Sequence, residues 1–355
     1  MKILTILGAR PQFVKASAVS RSIKNHAGIS EVIVHTGQHF DHNMSHIFFE
    51  ELKISKPDYH LDINNLNHGA MTGRMMEKLE DIVLKELPDW VLVYGDTNST
   101  LAGALVASKL HVNIAHVEAG LRSYNMQMPE EINRILTDRI SRALFCPTQT
   151  AVDNLLREGY GNVDADIQLV GDVMYDSLLY YQNYARRPDF DVPERFALCT
   201  LHRADNTDSK ENLKSIFQAL NEISKQVPLV LPLHPRTRSK LDLSLVGPNI
   251  QLVNPVGYLE MLYLLKHSEL VLTDSGGLQK EAYLSKKACI TLRTETEWVE
   301  LVEHGVNRIV GTDPQAILEA FSFFSDSTDL DFDTGLYGNG AASDRIVEQL
   351  LKTQQ

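Results

Sequence analysis

Short apolar runs rich in β-forming residues alternate along the chain with longer segments of helical periodicity. Runs such as Lys2–Leu7 and Trp90–Tyr94 are almost continuously apolar, as are strands buried on both faces of a parallel sheet. Polar turns follow most of these runs and lead into a helix. The alternation predicts an α/β protein whose strands are Lys2–Leu7, Glu31–His35, Trp90–Tyr94, Asn113–Val117, Ala143–Cys146, Ile167–Val170, Phe196–Leu201, Leu229–Leu233, Glu269–Thr273 and Ala288–Leu292.

The same alternation starts again in the second half of the chain. A polar segment, Arg186–Pro193, contains two prolines and separates the halves. Two similar βα repeats joined by a linker predict two Rossmann-like domains that face each other across a cleft. We expect a first domain at residues 1–187, a second at 188–340, and a C-terminal helix at 341–355 that can pack back on the first domain.

The stretch from His116 to Arg134 combines a strand end, a glycine turn, a short loop and a helix. Pro129 suits the first helical position because its missing N–H has no partner to lose there. Glu130 and Glu131 then fall in the first turn, where the helix dipole stabilises a carboxylate. Helical spacing predicts an inward face made of Ile132, Ile135, Leu136, Ile140 and Ala143.

Carboxylates follow two of the predicted strands. Asp96 comes just after Trp90–Tyr94, and Glu118 follows the next predicted strand, Asn113–Val117. Because successive βα units usually place their strands side by side, both carboxylates are expected at the rim where open α/β sheets bind ligands. Structural alternatives exist, since Asp96 can cap a helix and Glu118 can form a strand-end salt bridge.

A first candidate anion site follows the first strand. Gly8 forms the turn before a helix start near Pro11, where Arg10 and Lys15 add two positive charges. No further glycines stand at the spacing of a dinucleotide fingerprint. Arg10 and Lys15 are therefore candidates for anion binding, with solvated charges on a helix start as the alternative.

The strongest phosphate signal is Asp274-Ser275-Gly276-Gly277, between a strand and a helix. Its glycines allow close approach of a ligand to the backbone, and the helix start supplies N–H groups and positive potential. Glu281, one turn into the helix, can accept hydrogen bonds from sugar hydroxyls or form a surface ion pair. A plain glycine-rich helix start is the alternative. Basic side chains expected at the same rim are His202, Arg203, His234, Arg236 and Arg293.

Composition limits the classes of function. The chain has 355 residues, 43% of them hydrophobic and 23% charged, as in ordinary globular proteins, and a formal net charge of -12. This charge argues against non-specific binding to nucleic acid or to an anionic membrane. We expect a cytoplasmic protein without a signal peptide, with its three cysteines reduced. We expect no cofactor. We also expect no metal, because the histidines between His39 and His68 lack a carboxylate that completes a metal motif.

Six motifs in order give the chain a family resemblance over essentially its full length. It resembles the non-hydrolysing UDP-N-acetylglucosamine 2-epimerase family. The motifs are Gly8-Ala9-Arg10-Pro11 with Lys15, Gly95-Asp96-Thr97, His116-Val117-Glu118-Ala119-Gly120-Leu121-Arg122, Pro129-Glu130-Glu131-Ile132-Asn133-Arg134, Thr200-Leu201-His202-Arg203, and Thr273-Asp274-Ser275-Gly276-Gly277 with Glu281.

The resemblance implies a fold like that of GT-B glycosyltransferases, a homodimer, and inversion at C2 of a UDP-linked 2-acetamido sugar in surface polysaccharide (lipopolysaccharide) synthesis. In this mechanism UDP is eliminated to leave a 2-acetamidoglucal and is then added back. By resemblance, the acid/base groups are Asp96, Glu118 and Glu130, and His202 assists near the leaving phosphate. The implied UDP-binding residues are Arg10, Lys15, His234, Ser275, Gly276, Gly277, Glu281 and Arg293.

Two departures from the family pattern bear on the sugar. The loop Ser123–Met128 is short, and Thr296-Glu297-Trp298-Val299-Glu300 replaces the usual Thr-Glu-Arg-Pro-Glu. Both resemble the branch that epimerises UDP-2,3-diacetamido-2,3-dideoxyglucuronic acid. A GT-B glycosyltransferase would share the glycine motif and Glu281 but would need an acceptor. A catalytically silent sensor of nucleotide sugars is the third alternative.

Overall fold

The computed structural model describes residues 1–38, 55–233, 235–327, 329–333 and 335–353. The chain forms two compact units: unit 1 comprises Met1–Leu179 and Leu336–Gln355, and unit 2 comprises Tyr180–Gly335. The sequence prediction put the divisions after residues 187 and 340. The first division instead falls before the proline-containing segment, within a helix. A helix expected near Met44–Leu52 lies outside the described residues.

Unit 1 contains a seven-stranded parallel sheet in the order β3-β2-β1-β4-β5-β6-β7. This is the doubly wound order, in which the chain reverses direction between β1 and β4. The turns that follow these two central strands therefore lie at the position where such sheets bind ligands. The strands are β1 (Lys2–Leu7), β2 (Ser30–His35), β3 (Tyr59–His60), β4 (Trp90–Tyr94), β5 (Asn113–Val117), β6 (Ala143–Cys146) and β7 (Asp166–Leu169).

The helices of unit 1 connect these strands, and the last one returns from the C-terminal end of the chain. In that helix Asp344 accepts a hydrogen bond from Ser22 (2.6 Å), and the backbone N–H of Ser343 donates to Asp176 (2.7 Å). Residues 336–355 thus belong to unit 1. The helices are α1 (Arg10–Lys24), α2 (His68–Glu86), α3 (Asn98–Lys109), α4 (Pro129–Ile140), α5 (Gln149–Arg157), α6 (Val173–Tyr181, at the unit boundary) and, at the C-terminal end, α14 (Ala342–Lys352).

Unit 2 repeats the plan with a six-stranded parallel sheet in the order β10-β9-β8-β11-β12-β13. Its direction reverses between β8 and β11, so the turns after these strands again form the expected ligand position. The strands are β8 (Ala197–Thr200), β9 (Leu229–Pro232), β10 (Ile250–Val253), β11 (Val271–Thr273), β12 (Cys289–Thr291) and β13 (Asn307–Ile309). The helices are α7 (Ala204–Thr207), α8 (Lys210–Ser224), α9 (Pro235–Lys240), α10 (Tyr258–His267), α11 (Gly276–Leu284), α12 (Val299–Glu303) and α13 (Pro314–Asp326).

The two sheets confirm the predicted α/β architecture of two Rossmann-like domains. Cys146, Cys199 and Cys289 are buried and form no disulfide. Among the described residues, no helix has both the length and the apolar character needed to cross a membrane.

The predicted inward face of α4 is wrong. Ile132 is 39% exposed and Leu136 is 44% exposed, whereas Glu131, Thr137 and Asp138 are fully buried. Each of the two buried acids has several hydrogen-bond donors around it, so the polar side of this helix can be buried at tolerable cost. The apolar side of α4 consequently faces away from the core of unit 1.

Candidate active site

The turns after β1 and β4 are joined by one buried glutamine. The side-chain oxygen of Gln12 accepts hydrogen bonds from the backbone N–H groups of Gly8 (2.8 Å) and Ala9 (3.0 Å). Its amide nitrogen donates to the carbonyl of Tyr94 (2.7 Å) and to Thr100 (2.9 Å). Gln12, which the sequence reasoning did not single out, thereby fixes the two strand ends on either side of the reversal point.

Glu118 and Lys15 form a buried salt bridge at this rim. Lys15 Nζ lies 2.6 Å from Glu118 Oε1, and the two side chains are 11% and 7% exposed. Gly95 lies against the pair, since a Cβ there would be 3.3 Å from Lys15 Nζ and 3.6 Å from Glu118 Oε1. The structural alternative named for Glu118, a strand-end salt bridge, is therefore confirmed, but the sequence reasoning assigned Lys15 to UDP and did not identify it as the partner.

The backbone of Glu118 has the left-handed conformation, with φ of 72°. A residue with a side chain adopts this conformation at a cost of about 1–3 kcal/mol, and such strain concentrates at functional sites. Here it is held by two hydrogen bonds, because the N–H groups of Glu118 and Ala119 both donate to the carbonyl of Phe145 (3.1 Å each). The strained turn directs the Glu118 side chain to Lys15.

Asp96 has a different positive partner. Arg134, on the buried side of α4, forms an ion pair with Asp96 and a second one with Glu131 (2.8 Å). The alternative that Asp96 caps a helix is wrong, because α3 is capped by Thr97, whose side chain accepts a hydrogen bond from the Thr100 N–H. The Asp96 side chain is 27% exposed and therefore accessible to a ligand.

β4 and β5 are neighbours in the sheet, as their order in the sequence predicted. Tyr94 pairs with Val117 in their register, so Asp96 and Glu118 each follow the end of adjacent strands. The two carboxylates thus share a rim, and each has its own cation, Arg134 for Asp96 and Lys15 for Glu118.

The short loop after Arg122 is anchored by Glu131. One carboxylate oxygen of Glu131 accepts from the N–H (2.9 Å) and hydroxyl (3.0 Å) of Ser123, and the other accepts from the N–H of Tyr124 (2.9 Å). Glu131 is fully buried. It is a structural residue that orients both the loop and Arg134.

Glu130, the neighbour of Glu131, is exposed. Within the described part of the chain its side chain makes no hydrogen bond or ion pair with unit 1. The structure therefore does not bring Glu130 into the cluster of Asp96, Arg134, Lys15 and Glu118, and its acid/base role stays a prediction.

Behind the rim lies a fully buried polar network centred on Asp138. Its carboxylate contacts His116 Nδ1 (2.7 Å), Arg122 Nη1 (2.7 Å) and the N–H of Gly120 (3.1 Å). Burial alone would raise the pKa of Asp138, but the contacts with His116 and Arg122 outweigh it and lower that pKa. His116 also contacts the carbonyl of Gly95 (2.7 Å). The network connects the β4 and β5 turns to α4.

In unit 2, Asp274 and His202 bridge the two strands at the reversal point. Asp274 Oδ1 lies 2.9 Å from His202 Nδ1, and its carboxylate also accepts from the N–H groups of His202 (3.1 Å) and Arg203 (3.0 Å) and from Asn206 (3.1 Å). Burial would raise the pKa of Asp274, but the contacts with His202 and these donors lower it. The His202 side chain is 51% exposed, so its ring is oriented by a buried carboxylate and open to a ligand.

The predicted phosphate motif forms the start of α11. The Ser275 side chain accepts from the N–H of Leu278, and the helix begins at Gly276. The helix starts two residues earlier than expected, so the N–H groups of Gly276 and Gly277 both belong to its first turn. These groups have no partner within the helix, as a bound anion requires.

Arg293 lies near the start of α11, and Glu281 lies about one turn into that helix. Arg293 Nη1 pairs with Glu297 (3.0 Å), and its Nη2 is buried without a hydrogen bond to any described residue. Arg293 Nη1 would lie 3.8 Å from a Cβ at Gly276, so the guanidinium is directed at the helix start. Glu281 is 7% exposed on the same helix.

Three further residues expected at the rims have side chains outside the described part of the chain: Arg10, His234 and Arg236. His234 lies outside the described residues. Arg10 begins α1, directly after the Gly8 turn, but its side chain is outside the description. Sequence reasoning gave no individual role to the residues that hold other groups in place: Gln12, Arg134, Asp138 and Asp274, of which Arg134 and Asp274 were named only as members of longer motifs. Their signal was weak because polar residues of this kind are common on helix starts and strand ends.

Comparisons with known proteins identify the family of the chain. A family model described as UDP-N-acetylglucosamine 2-epimerase matches residues 21–351. The chain is 59% identical, over 99% of its length and 100% of the relative, to the UDP-2,3-diacetamido-2,3-dideoxy-D-glucuronate 2-epimerase of Pseudomonas aeruginosa.

Two solved structures are similar along the whole chain. One is the UDP-GlcNAc 2-epimerase of Methanocaldococcus jannaschii in complex with UDP-GlcNAc and UDP (TM-score 0.91, 43% identity, covering 99% of this chain and 100% of that one). The other is the UDP-GlcNAc 2-epimerase of Neisseria meningitidis bound to UDP-GlcNAc (TM-score 0.90, 32% identity, covering 99% and 100%). The family model and these full-length relatives together show that the chain belongs to the UDP-N-acetylglucosamine 2-epimerase family.

Proposed function

We propose that this chain is an isomerase that inverts C2 of a UDP-linked 2-acetamido sugar without hydrolysing it. Its substrate is UDP-2,3-diacetamido-2,3-dideoxyglucuronic acid, with UDP-N-acetylglucosamine as the alternative. The 59% identity to the Pseudomonas aeruginosa enzyme supports this choice of sugar. The observation that carries the reaction type is the pair of carboxylates, Asp96 and Glu118, that follow adjacent strands and have separate cations.

Unit 2 binds the UDP group in this proposal. The diphosphate contacts the N–H groups of Gly276 and Gly277 and the guanidinium of Arg293, and Glu281 accepts hydrogen bonds from the ribose. His202 donates a hydrogen bond to the phosphate oxygen that leaves C1. Support comes from the Asp274–His202 contact, which fixes one ring nitrogen and leaves the other directed to solvent. Arg10, Lys15 and His234 add positive charge.

The reaction conserves atoms and electrons without a redox step. A carboxylate of unit 1 takes the C2 proton while the bond between C1 and the UDP oxygen breaks. The electron pair of the C2–H bond becomes the C1–C2 double bond of a 2-acetamidoglucal, and UDP leaves with the electrons of the C1–O bond. A protonated carboxyl group then returns a proton to the opposite face of C2, and the UDP oxygen re-forms its bond to C1. Two faces require two carboxyl groups, which are Asp96 and Glu118, with Glu130 as a third candidate.

Product analysis tests the proposal. Purified chain is incubated in parallel with UDP-N-acetylglucosamine and with the diacetamido uronate, and each mixture is analysed by NMR. We expect the C2 epimer to form, with the diacetamido uronate converted faster. Faster conversion of UDP-N-acetylglucosamine would overturn the choice of sugar. Release of free UDP only after addition of an acceptor would favour a glycosyltransferase.

We propose further that the enzyme acts in the cytoplasm, supplies precursors of surface polysaccharide, and is a homodimer. The exposed apolar side of α4, formed by Ile132 and Leu136, supports the dimer. Contact with a second copy of the chain would remove these two side chains from water, which is favourable. Arg139, also exposed on this helix, adds a polar edge.

Sedimentation of the Leu136→Asp variant tests the dimer surface. Placing a carboxylate in an apolar interface leaves it unpaired, so we expect the variant to sediment as a monomer at concentrations where the wild type is a dimer. The control is Leu243→Asp, at a leucine of unit 2 that is 59% exposed. If the Leu136→Asp variant still sediments as a dimer, α4 is not part of the interface.

A further inference from the structure

Glu297 lies at the start of α11, where the proposed function puts the diphosphate. A Cβ added to Gly276 would be only 2.4 Å from Glu297 Oε1, so the carboxylate rests against the first residue of the helix. Glu297 is also 3.0 Å from Arg293 Nη1, and its side chain is 10% exposed. A negative carboxylate thus contacts both the cation and the helix start that an anion would use.

The residues on either side of Glu297 contact α11 through their side chains. Thr296 donates to Gln279 Oε1 (2.8 Å), and the Trp298 N–H donates to Thr296 (3.1 Å). The Trp298 ring also lies 3.9 Å from the ammonium of Lys280, a cation–π contact between side chains that are almost fully buried. A rotation of the Glu297 side chain is therefore sufficient to displace the carboxylate, with these contacts kept.

Arg293 has unused hydrogen-bonding capacity at the same place. Its side chain is 5% exposed, one terminal nitrogen pairs with Glu297, and the other makes no hydrogen bond to the described residues. A buried guanidinium donor without a partner is costly, and a diphosphate with several acceptor oxygens would satisfy it. The carboxylate therefore fills this anion site only in part.

We propose that Glu297 is an internal competitor for the diphosphate: it neutralises Arg293 in the absence of nucleotide and is displaced from it when UDP binds. This inference rests on the proposed function, because it requires UDP at the start of α11. Each binding event then includes the loss of the Glu297–Arg293 pair, and the affinity for UDP is lower than the site could otherwise provide. The same competition favours rapid release of the UDP-sugar product.

Calorimetric titration of Glu297→Gln and Glu297→Ala with UDP and with uridine tests this inference. We expect both variants to bind UDP about 3- to 10-fold more tightly than the wild type, because a charged competitor has been removed. Uridine, which has no phosphate, should bind all three proteins within about twofold of one another. The matched control is Glu303→Gln, at an exposed glutamate on α12, which should leave UDP affinity unchanged.

The outcomes separate the inference from the proposed function. Weaker or unchanged UDP binding by both Glu297 variants, with wild-type binding intact, would overturn the competition and make Glu297 a residue that positions Arg293 or contacts the ligand. Equal tightening for uridine would also overturn it, since the effect would not depend on the phosphates. Failure of the wild type itself to bind UDP would instead overturn the assignment of unit 2 to UDP, and the competition with it.

Discussion

The Glu118→Gln variant is expected to lose about 10²- to 10⁴-fold in kcat, the usual contribution of a general acid or base. The amide keeps the size of the side chain but cannot accept the C2 proton. UDP affinity should change far less than kcat, because Lys15 is the one proposed UDP-binding residue that pairs with Glu118 and most of the others are in unit 2. Steady-state kinetics and UDP titration measure the two effects separately.

Stability must be controlled in this experiment, because Glu118 forms a buried salt bridge with Lys15. Removing one partner leaves a buried charge, which typically costs about 3–5 kcal/mol. The double variant Lys15→Met/Glu118→Gln removes both charges and should regain stability without regaining activity. Glu77→Gln, at an exposed glutamate on α2, serves as the surface control. A Glu118→Gln variant with the wild-type kcat would exclude Glu118 as a proton carrier.

The Asp138→Asn variant is expected to be destabilised by about 3–5 kcal/mol, since His116, Arg122 and the Gly120 N–H would lose the carboxylate that they share. Asp153 provides the matched control: the same change, Asp153→Asn, on the exposed side of α5, should alter stability by less than about 0.5 kcal/mol. Urea unfolding at pH 7 gives both values. A loss below about 1 kcal/mol for Asp138→Asn would show that the network contributes little.

The same carboxylate predicts a pH dependence with a definite sign. The folded state lowers the pKa of Asp138 from its ordinary value of 3.8, so its contribution is fully present above that value. The contribution is lost as the pH falls through the lower, folded pKa. Below about pH 4, the wild type should therefore lose stability more steeply than Asp138→Asn. Equal slopes of the unfolding free energy against pH for the two proteins would contradict this prediction.

Most of the sheet could be predicted because its central strands are buried on both faces. Continuous apolar runs such as β4 have few other interpretations. The strands that the prediction missed are β3, β10 and β13, and each lies at the edge of its sheet. Edge strands have only one neighbour, and these three contain polar residues, so their sequences carry little of the apolar signal.

The location of the site could be predicted, but its pairings could not. Polar residues that follow neighbouring parallel strands must meet at one edge, which brought Asp96 and Glu118 to the same rim. The partner of each depends on helices that are distant in sequence: Lys15 is on α1 and Arg134 is on α4. Local sequence contains no information on how those helices rotate against the sheet.

The face of α4 shows why rotation matters. Spacing alone assigned Ile132 and Leu136 to the core, because apolar residues are normally buried. The helix instead turns Glu131, Arg134 and Asp138 inward, where each has charged or hydrogen-bonding partners. Periodicity was correct about the existence of two faces, and the prediction failed in choosing which one unit 1 covers.

Solvent exchange at C2 tests the proposed chemistry most directly. The wild-type chain is incubated with its UDP-2-acetamido sugar in D₂O, and the hydrogen at C2 of each epimer is followed by NMR and mass spectrometry. Removal and return of the C2 proton by carboxyl groups predicts one deuterium at C2 of the product, and Glu118→Gln should slow its appearance as much as it slows turnover. Epimer that forms with its C2 hydrogen retained would contradict the elimination and proton-return mechanism.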